Sequence, residues 1–192
     1  MGQYYKPSIL KKNWKTANHP VACSLDSWDF GSGLKLMEHS YAGVGFVDAV
    51  CHLLATTYKG FPFAWVGDYA DEKTCGGKQV SLYGEASELC HKNSIKALVQ
   101  NLLANGDTEK QYAYAINYTK NQYCKIPKFN KKEWRVHPLP LLTCDGNGLG
   151  CGDYNLEDDR IGTWAYDRIG VTNSKKEIEG MTEISGFFKL DY

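Results

Sequence analysis

The chain has 192 residues, 43% of them hydrophobic and 13% aromatic, which suits one folded domain over 1–192 that buries its own core. Its 22 basic residues balance 22 acids, whereas a general nucleic-acid binder carries a basic excess; composition therefore counts against that class, although a local basic patch stays open. The seven cysteines are odd in number and irregular in spacing, and no CxxC occurs, which excludes a zinc knuckle and a thioredoxin motif and suits free thiols in a reducing cytoplasm.

The opening "MGQYYKPSIL" has no apolar run that reads as a signal peptide, and no segment reads as a bilayer span, so no membrane partner is expected. Gly2 would suit myristoylation, but Lys6 stands where that motif wants Ser or Thr. "YYKPSIL" reads as a first strand, at an edge because of Pro7. "DSWDFGSGLKLMEH" reads as a turn feeding a second strand. "SYAGVGFVDAVCHLLATTYKG" reads as the main helix, with Ser40 as N-cap, Phe46, Val47, Val50, Leu53 and Leu54 on one apolar face, and Gly60 as its end. "FPFAWVGDY" reads as a short buried strand, and the stretch 70–81 as a loop.

"LYGEASELC" and "SIKALVQNLLANG" read as two more helices, the second closed by Gly106. "QYAYAINYTKNQYCKI" alternates like a hairpin that turns near Lys120 and Asn121. "WRVHPLPLL" reads as extended because of its prolines, and "IGTWAYDRIGV" and "EISGFFKL" as closing strands. The sum is an α+β class: a mainly antiparallel sheet with a few helices packed on one face.

Charge is unevenly spread. Lys120, Lys125, Lys128, Lys131, Lys132 and Arg135 form a basic block with one acid, Glu133; Asp145, Asp153, Glu157, Asp158 and Asp159 form an acidic one. The two blocks either offset one another or present a two-signed surface to a partner.

Three places could carry chemistry. The first is "LLTCDGNGLGCGDY", where Gly146, Gly148, Gly150 and Gly152 fall within seven residues between Asp145 and Asp153. Neither phosphate motif fits: no GK[ST] follows, and the spacing is wrong for GxGxxG. Glycine runs between strands are usually turns. Four glycines exceed what a turn needs, however, and bare backbone lets a ligand approach closely. The expected ligand site is Asp68, Tyr69, Asp145, Gly146, Asn147, Gly148, Gly150, Gly152, Asp153 and Tyr154.

The second place is "WVGDYADE". Asp68, Asp71 and Glu72, with Asp153, could hold Mg²⁺ or Mn²⁺ in a metal-assisted hydrolase, although charged loop residues are more often solvated and no metal or other cofactor is the simpler expectation. The third is histidine: His39 and His137 lie at element ends and, with Asp68, are the candidates for catalysis. Cys144 and Cys151 flank the glycine run, but acids nearby would raise a thiol pKa and oppose a nucleophile.

The blocks "MGQYYKPSIL", "GLKLMEHSY", "WVGDYADE" and "WRVHPLPLLTCDGNGLGCGDY" resemble a set of uncharacterised small bacterial and phage proteins. The resemblance implies a mobile-element setting and assigns no catalytic residue. The expectation is a small cytoplasmic, non-catalytic binding protein that recognises a nucleotide-like small molecule or a host protein. The hydrolase and a structural or assembly role are its alternatives.

Overall fold

The computed structural model describes residues 3–146 and 158–184. In chain order the elements are β1 (Tyr5–Leu10), β2 (Val21–Ser24), α1 (Leu36–His39), α2 (Gly45–Ala55), β3 (Phe61–Gly67), β4 (Lys73–Cys75), β5 (Lys78–Val80), α3 (Leu82–Cys90), α4 (Asn93–Ala104), β6 (Tyr114–Asn117), β7 (Gln122–Lys125), α5 (Pro138–Thr143), β8 (Cys144–Asp145), β9 (Arg168–Thr172) and β10 (Thr182–Glu183). The main sheet runs β10-β7-β6-β9-β3-β1-β2, with β8 also on β3. Its pairs are antiparallel except β3/β8 and β7/β10. The class is α+β.

β3 organises the molecule because both of its faces are buried. Phe63 and Trp65 point into the larger core with Phe46, Val47, Val50 and Leu54 of α2. Ala64 and Val66 point the other way, onto Leu10, Val21 and the α3 residues Leu82 and Ala86. Alternation along one strand puts these sets on opposite faces. Helices therefore cover the sheet on both sides, α2 on one and α3 on the other. Each fully buried Phe, Leu or Val contributes roughly 1.5–3 kcal/mol.

Local chemistry explains where the elements differ from the sequence reading. Pro7 is not at a sheet edge: β1 lies between β2 and β3, but β2 reaches only Ser8 to Leu10, so Pro7 stands where the strand has β3 alone beside it. The expected second strand is a 3-10 turn at Ser27–Phe30 followed by the short α1. Ser40 does not cap the main helix. It ends α1, and α2 starts at Gly45 after Val44.

The prolines of "HPLPLL" do not forbid a helix. They fall in the first turn of α5, where no backbone N–H is needed, and the His137 side chain accepts from Leu139 N at 3.2 Å as the N-cap. The stretch 70–81 contains the β4/β5 hairpin around Gly76 and Gly77. The expected strand at 161–171 begins only at Arg168; residues before it form turns. Residues 185–190 of the last expected strand lie outside the described residues.

One glycine is sterically fixed. Gly162 has φ 72°, and a Cβ there would stand 2.8 Å from the Cys144 carbonyl oxygen. Its N–H donates to Leu141 O at 2.8 Å. Gly162→Ala is expected to cost about 2–4 kcal/mol, from left-handed strain plus a backbone clash, read as a lower urea midpoint at unchanged slope.

Candidate functional site

The neighbour of β3 changes along its length. Its start pairs with β9, through Phe61 and Pro62. Its end pairs in parallel with β8, through Trp65↔Cys144 and Val66↔Asp145. Between them the returning chain is pinned by Tyr166 N donating to Phe63 O at 2.8 Å. Because β3 and β8 are parallel, both chains leave the sheet at the same end. β3 runs into Asp68–Glu72 and β8 into Gly146. The two loops singled out by sequence therefore begin side by side. Asn147, Gly148, Gly150, Gly152, Asp153 and Tyr154 lie outside the described residues.

Asp145 is the centre of this end. Its Oδ2 accepts from the Tyr166 hydroxyl and faces Lys73 Nζ at 2.9 Å. Among the described residues Oδ1 has no partner, and the side chain is about one-fifth exposed, at 21%. Burial, then the hydrogen bond to Asp145, holds the Tyr166 phenol well above its ordinary pKa, so it stays a donor.

Tyr166 has φ 69°, a conformation that bulky residues rarely adopt. Its ring stacks on Trp14 at 5.4 Å and 23°, and Lys73 Nζ stands 5.0 Å over it. Lys15 covers Trp14 at 5.7 Å. Backbone strain of this kind persists where the surroundings over-determine it, and such places concentrate at functional sites. The group brings together a carboxylate oxygen with no partner among the described residues, two stacked rings, the Lys73 ammonium paired with Asp145, and Lys15.

Asp68 has a structural part in this end. Its Oδ1 accepts from Tyr4 N at 3.1 Å, and its own N–H donates to Tyr4 O at 2.9 Å, tying β1's start to β3's end. Tyr69, Asp71 and Glu72 are exposed beside it. Among the described residues no three His, Cys, Asp or Glu side chains converge as metal ligands, so Asp68, Asp71 and Glu72 do not themselves form the Mg²⁺ or Mn²⁺ cluster.

Both candidate histidines are buried and occupied. His39 Nδ1 donates to Gly33 O at 2.9 Å, and its Nε2 accepts from Trp65 Nε1 at 3.0 Å. Burial lowers its pKa to about 4. His137 Nδ1 caps α5 while Nε2 lies 3.5 Å from Cys51 Sγ, and burial lowers its pKa to about 3. This Cys–His pair was not legible from spacing, since 86 residues separate its members. It is chemically silent: burial also pushes the Cys51 thiol well above its ordinary pKa, so neither an imidazolium nor a thiolate forms. Neither histidine has a free nitrogen facing solvent, so neither can act as a base on a ligand. Cys144 is likewise buried, its thiol donating to Leu141 O at 3.3 Å.

A second concavity, about 670 Å³ in volume, lies by β6 and β7 and is lined by Tyr114, Tyr123, Lys125, Lys175 and Lys176, among others. Lys125 there is already paired with Glu183 at 2.8 Å. None of its lining residues has the left-handed backbone of Tyr166.

Sequence reasoning named Asp145 and Gly146 but missed Trp14, Lys73 and Tyr166. These come from the β1–β2 loop, from β4 and from the turn before β9, and no local pattern links them. No helix among the described residues is long and apolar enough to cross a membrane.

No family model matches the chain, and no solved structure matches it. The tRNA (guanine-N(1)-)-methyltransferase of Helicobacter pylori is 27% identical over 114 residues, which cover 59% of this chain and 50% of that protein. The chain thus spans about half the length of this curated relative. The likeness overturns the expectation of a non-catalytic phage-type binding protein, because the similar protein is an enzyme.

Proposed function

We propose that the chain is a cytoplasmic enzyme that transfers a methyl group to a guanine base, with its base-recognising site at the shared end of β3 and β8. The likeness to a tRNA (guanine-N(1)-)-methyltransferase carries this reading. The Asp145 geometry supports it. Guanine N1 bears a proton that must leave when carbon is attached there. In this reading Asp145 Oδ1 would take that proton; a sulfonium methyl donor, when bound, would supply the methyl group to N1 and be left as a neutral thioether holding the electrons of the broken carbon–sulfur bond. Tyr166 and Lys73 hold the carboxylate in place through Oδ2. The Trp14–Tyr166 stack and Lys15 suit an aromatic base and its phosphate. The buried free thiols of Cys23, Cys51, Cys75, Cys90 and Cys124 fit a reducing compartment.

The test is direct. The full chain is incubated with unmodified tRNA and methyl-labelled S-adenosylmethionine, and the RNA is digested to nucleosides. Label in 1-methylguanosine is the expected result. No label in any nucleoside, at enzyme equimolar with RNA, would overturn the reading.

A further inference from the structure

The basic block 120–135 separates into two kinds of residue. Lys120 faces Asp167 at 3.4 Å, Lys125 faces Glu183 at 2.8 Å, and Arg135 faces Glu133 at 2.6 Å. Lys128, Lys131 and Lys132 are exposed and have no acidic partner among the described residues. Of the acidic block, Asp145 is spent on Lys73 and Asp158 on Arg160.

The same loop exposes two large aromatic side chains. Trp134 is 70% exposed and Phe129 45%. Apolar rings are kept in water at a cost, and a cluster of them among such cations marks a surface with a use. These rings are also held in place. Trp134 meets Tyr41 edge to face at 5.3 Å. Phe129 lies directly over Gly43, where a Cβ would overlap its ring. The loop's base is fastened by Ala42 N to Arg135 O and by His137 N to Ser40 O, both at 2.9 Å. Its tip is a tight turn in which Lys132 N donates to Asn130 Oδ1 at 3.0 Å and Glu133 N to Asn130 O at 3.1 Å.

From this arrangement we infer that the loop 127–135 is a docking platform for single-stranded nucleic acid, with bases stacking on Trp134 and Phe129 and phosphates on Lys128, Lys131 and Lys132. Stacking on fixed rings tolerates any base, and lysines of this kind release counterions on meeting phosphates. The charge on this surface is complementary to a polyanion. The zero net charge of the chain does not oppose it, because the excess is local. Trp28 provides the contrast: it is 68% exposed but sits between Asp26 and Asp29. The inference does not rest on the proposed activity, since it concerns a different loop and needs no guanine.

The experiment uses the full chain and a fluorescein-labelled oligouridylate, which lacks guanine, followed by anisotropy across a salt series. Binding is expected to weaken with salt, and K128Q/K131Q/K132Q to flatten the log–log slope by about 2, from about 0.7 for each phosphate that a lysine no longer neutralises. Trp134→Ala is expected to weaken binding about ten-fold or more, and Trp134→Phe to restore part of that. Trp28→Ala is expected to change nothing. Asp145→Asn is expected to keep full oligouridylate affinity, which separates a failure here from a failure of the methylation reading. All changed side chains of the platform are exposed, so melting curves should match the parent.

Absence of binding, or binding unmoved by both the lysine and the Trp134 variants, would overturn the inference. So would a preference for duplex over single strands. So would Trp134-dependent binding to phosphatidylserine vesicles in the absence of oligonucleotide binding. An equal affinity for oligothymidylate supports the platform and assigns it to either sugar.

Discussion

Acidification from pH 6.5 to 4 is expected to weaken the fold at a rate of one to two net protons, about 1.4 kcal/mol per pH unit for each. His39 and His137 take up protons near pH 6.5 when unfolded but only near about 4 and about 3 when folded. Their stabilising contribution is complete above 6.5 and is lost as pH falls through this window. His52, half-buried, has the same sign, reduced by the facing Asp107.

Asp48 works in the opposite direction. Burial raises its pKa to about 7, and among the described residues no hydrogen-bond donor meets its carboxyl. Its contribution is complete below 3.8 and is lost as pH rises through 7. Across most of the window the folded state therefore holds one proton on Asp48 while the unfolded state holds two on the histidines, leaving a net uptake of about one on unfolding before His52 is added. Asp48→Asn should steepen the slope by one proton. It should also stabilise the protein above pH 7, by on the order of 2–4 kcal/mol. Urea midpoints measured at half-unit pH steps check both. Below about pH 4.5 the paired carboxylates Asp107, Asp158, Glu177 and Glu183, all lowered, add to the loss. A flat profile between pH 4 and 6.5 in the parent chain would show that His39 and His137 are not buried neutral.

Asp145→Asn is expected to lower methyl-transfer turnover by about 100-fold or more, the usual range for loss of a positioned proton acceptor. KM for RNA should change little, because the ring stack and the cations remain. Stability should also change little, since the Lys73 pair is partly exposed and such pairs contribute about 0–1 kcal/mol. Tyr166→Phe keeps the stack and removes one donor to Oδ2, so its loss should be smaller, about ten-fold. Single-turnover kinetics separate these effects from RNA binding. A turnover in Asp145→Asn equal to that of the parent would remove Asp145 from the reaction.

Much of the fold was legible because its signals are local. The helices α3 and α4, the buried β3 and the β6/β7 hairpin each carry their own pattern. The failures have physical reasons. Pro138 and Pro140 looked like helix breakers, but a proline in a first turn removes no hydrogen bond. Ser40 looked like a cap, yet the five-residue detour before Gly45 is set by Tyr41 pairing with Val136, a partner 95 positions away by subtraction (136 − 41). The candidate site was half legible. Asp145 stood out beside its glycines. Trp14 and Tyr166 did not, because their stack depends on a chain separation of 152 (166 − 14). His39 and His137 drew attention as chemistry and turned out to be core, since burial and two occupied nitrogens are invisible in a linear sequence.

The central claim is that a guanine base is recognised where β3 and β8 end. The indole N–H resonances of the five tryptophans report on it when guanosine 5′-monophosphate is titrated into ¹⁵N-labelled protein. Trp65 and Trp164 donate to His39 and Gln122 inside the protein and serve as fixed references. The account predicts that Trp14, which stacks on Tyr166, moves with saturation while these two stay still. A titration that leaves Trp14 unmoved, or moves Trp134 alone, would contradict it.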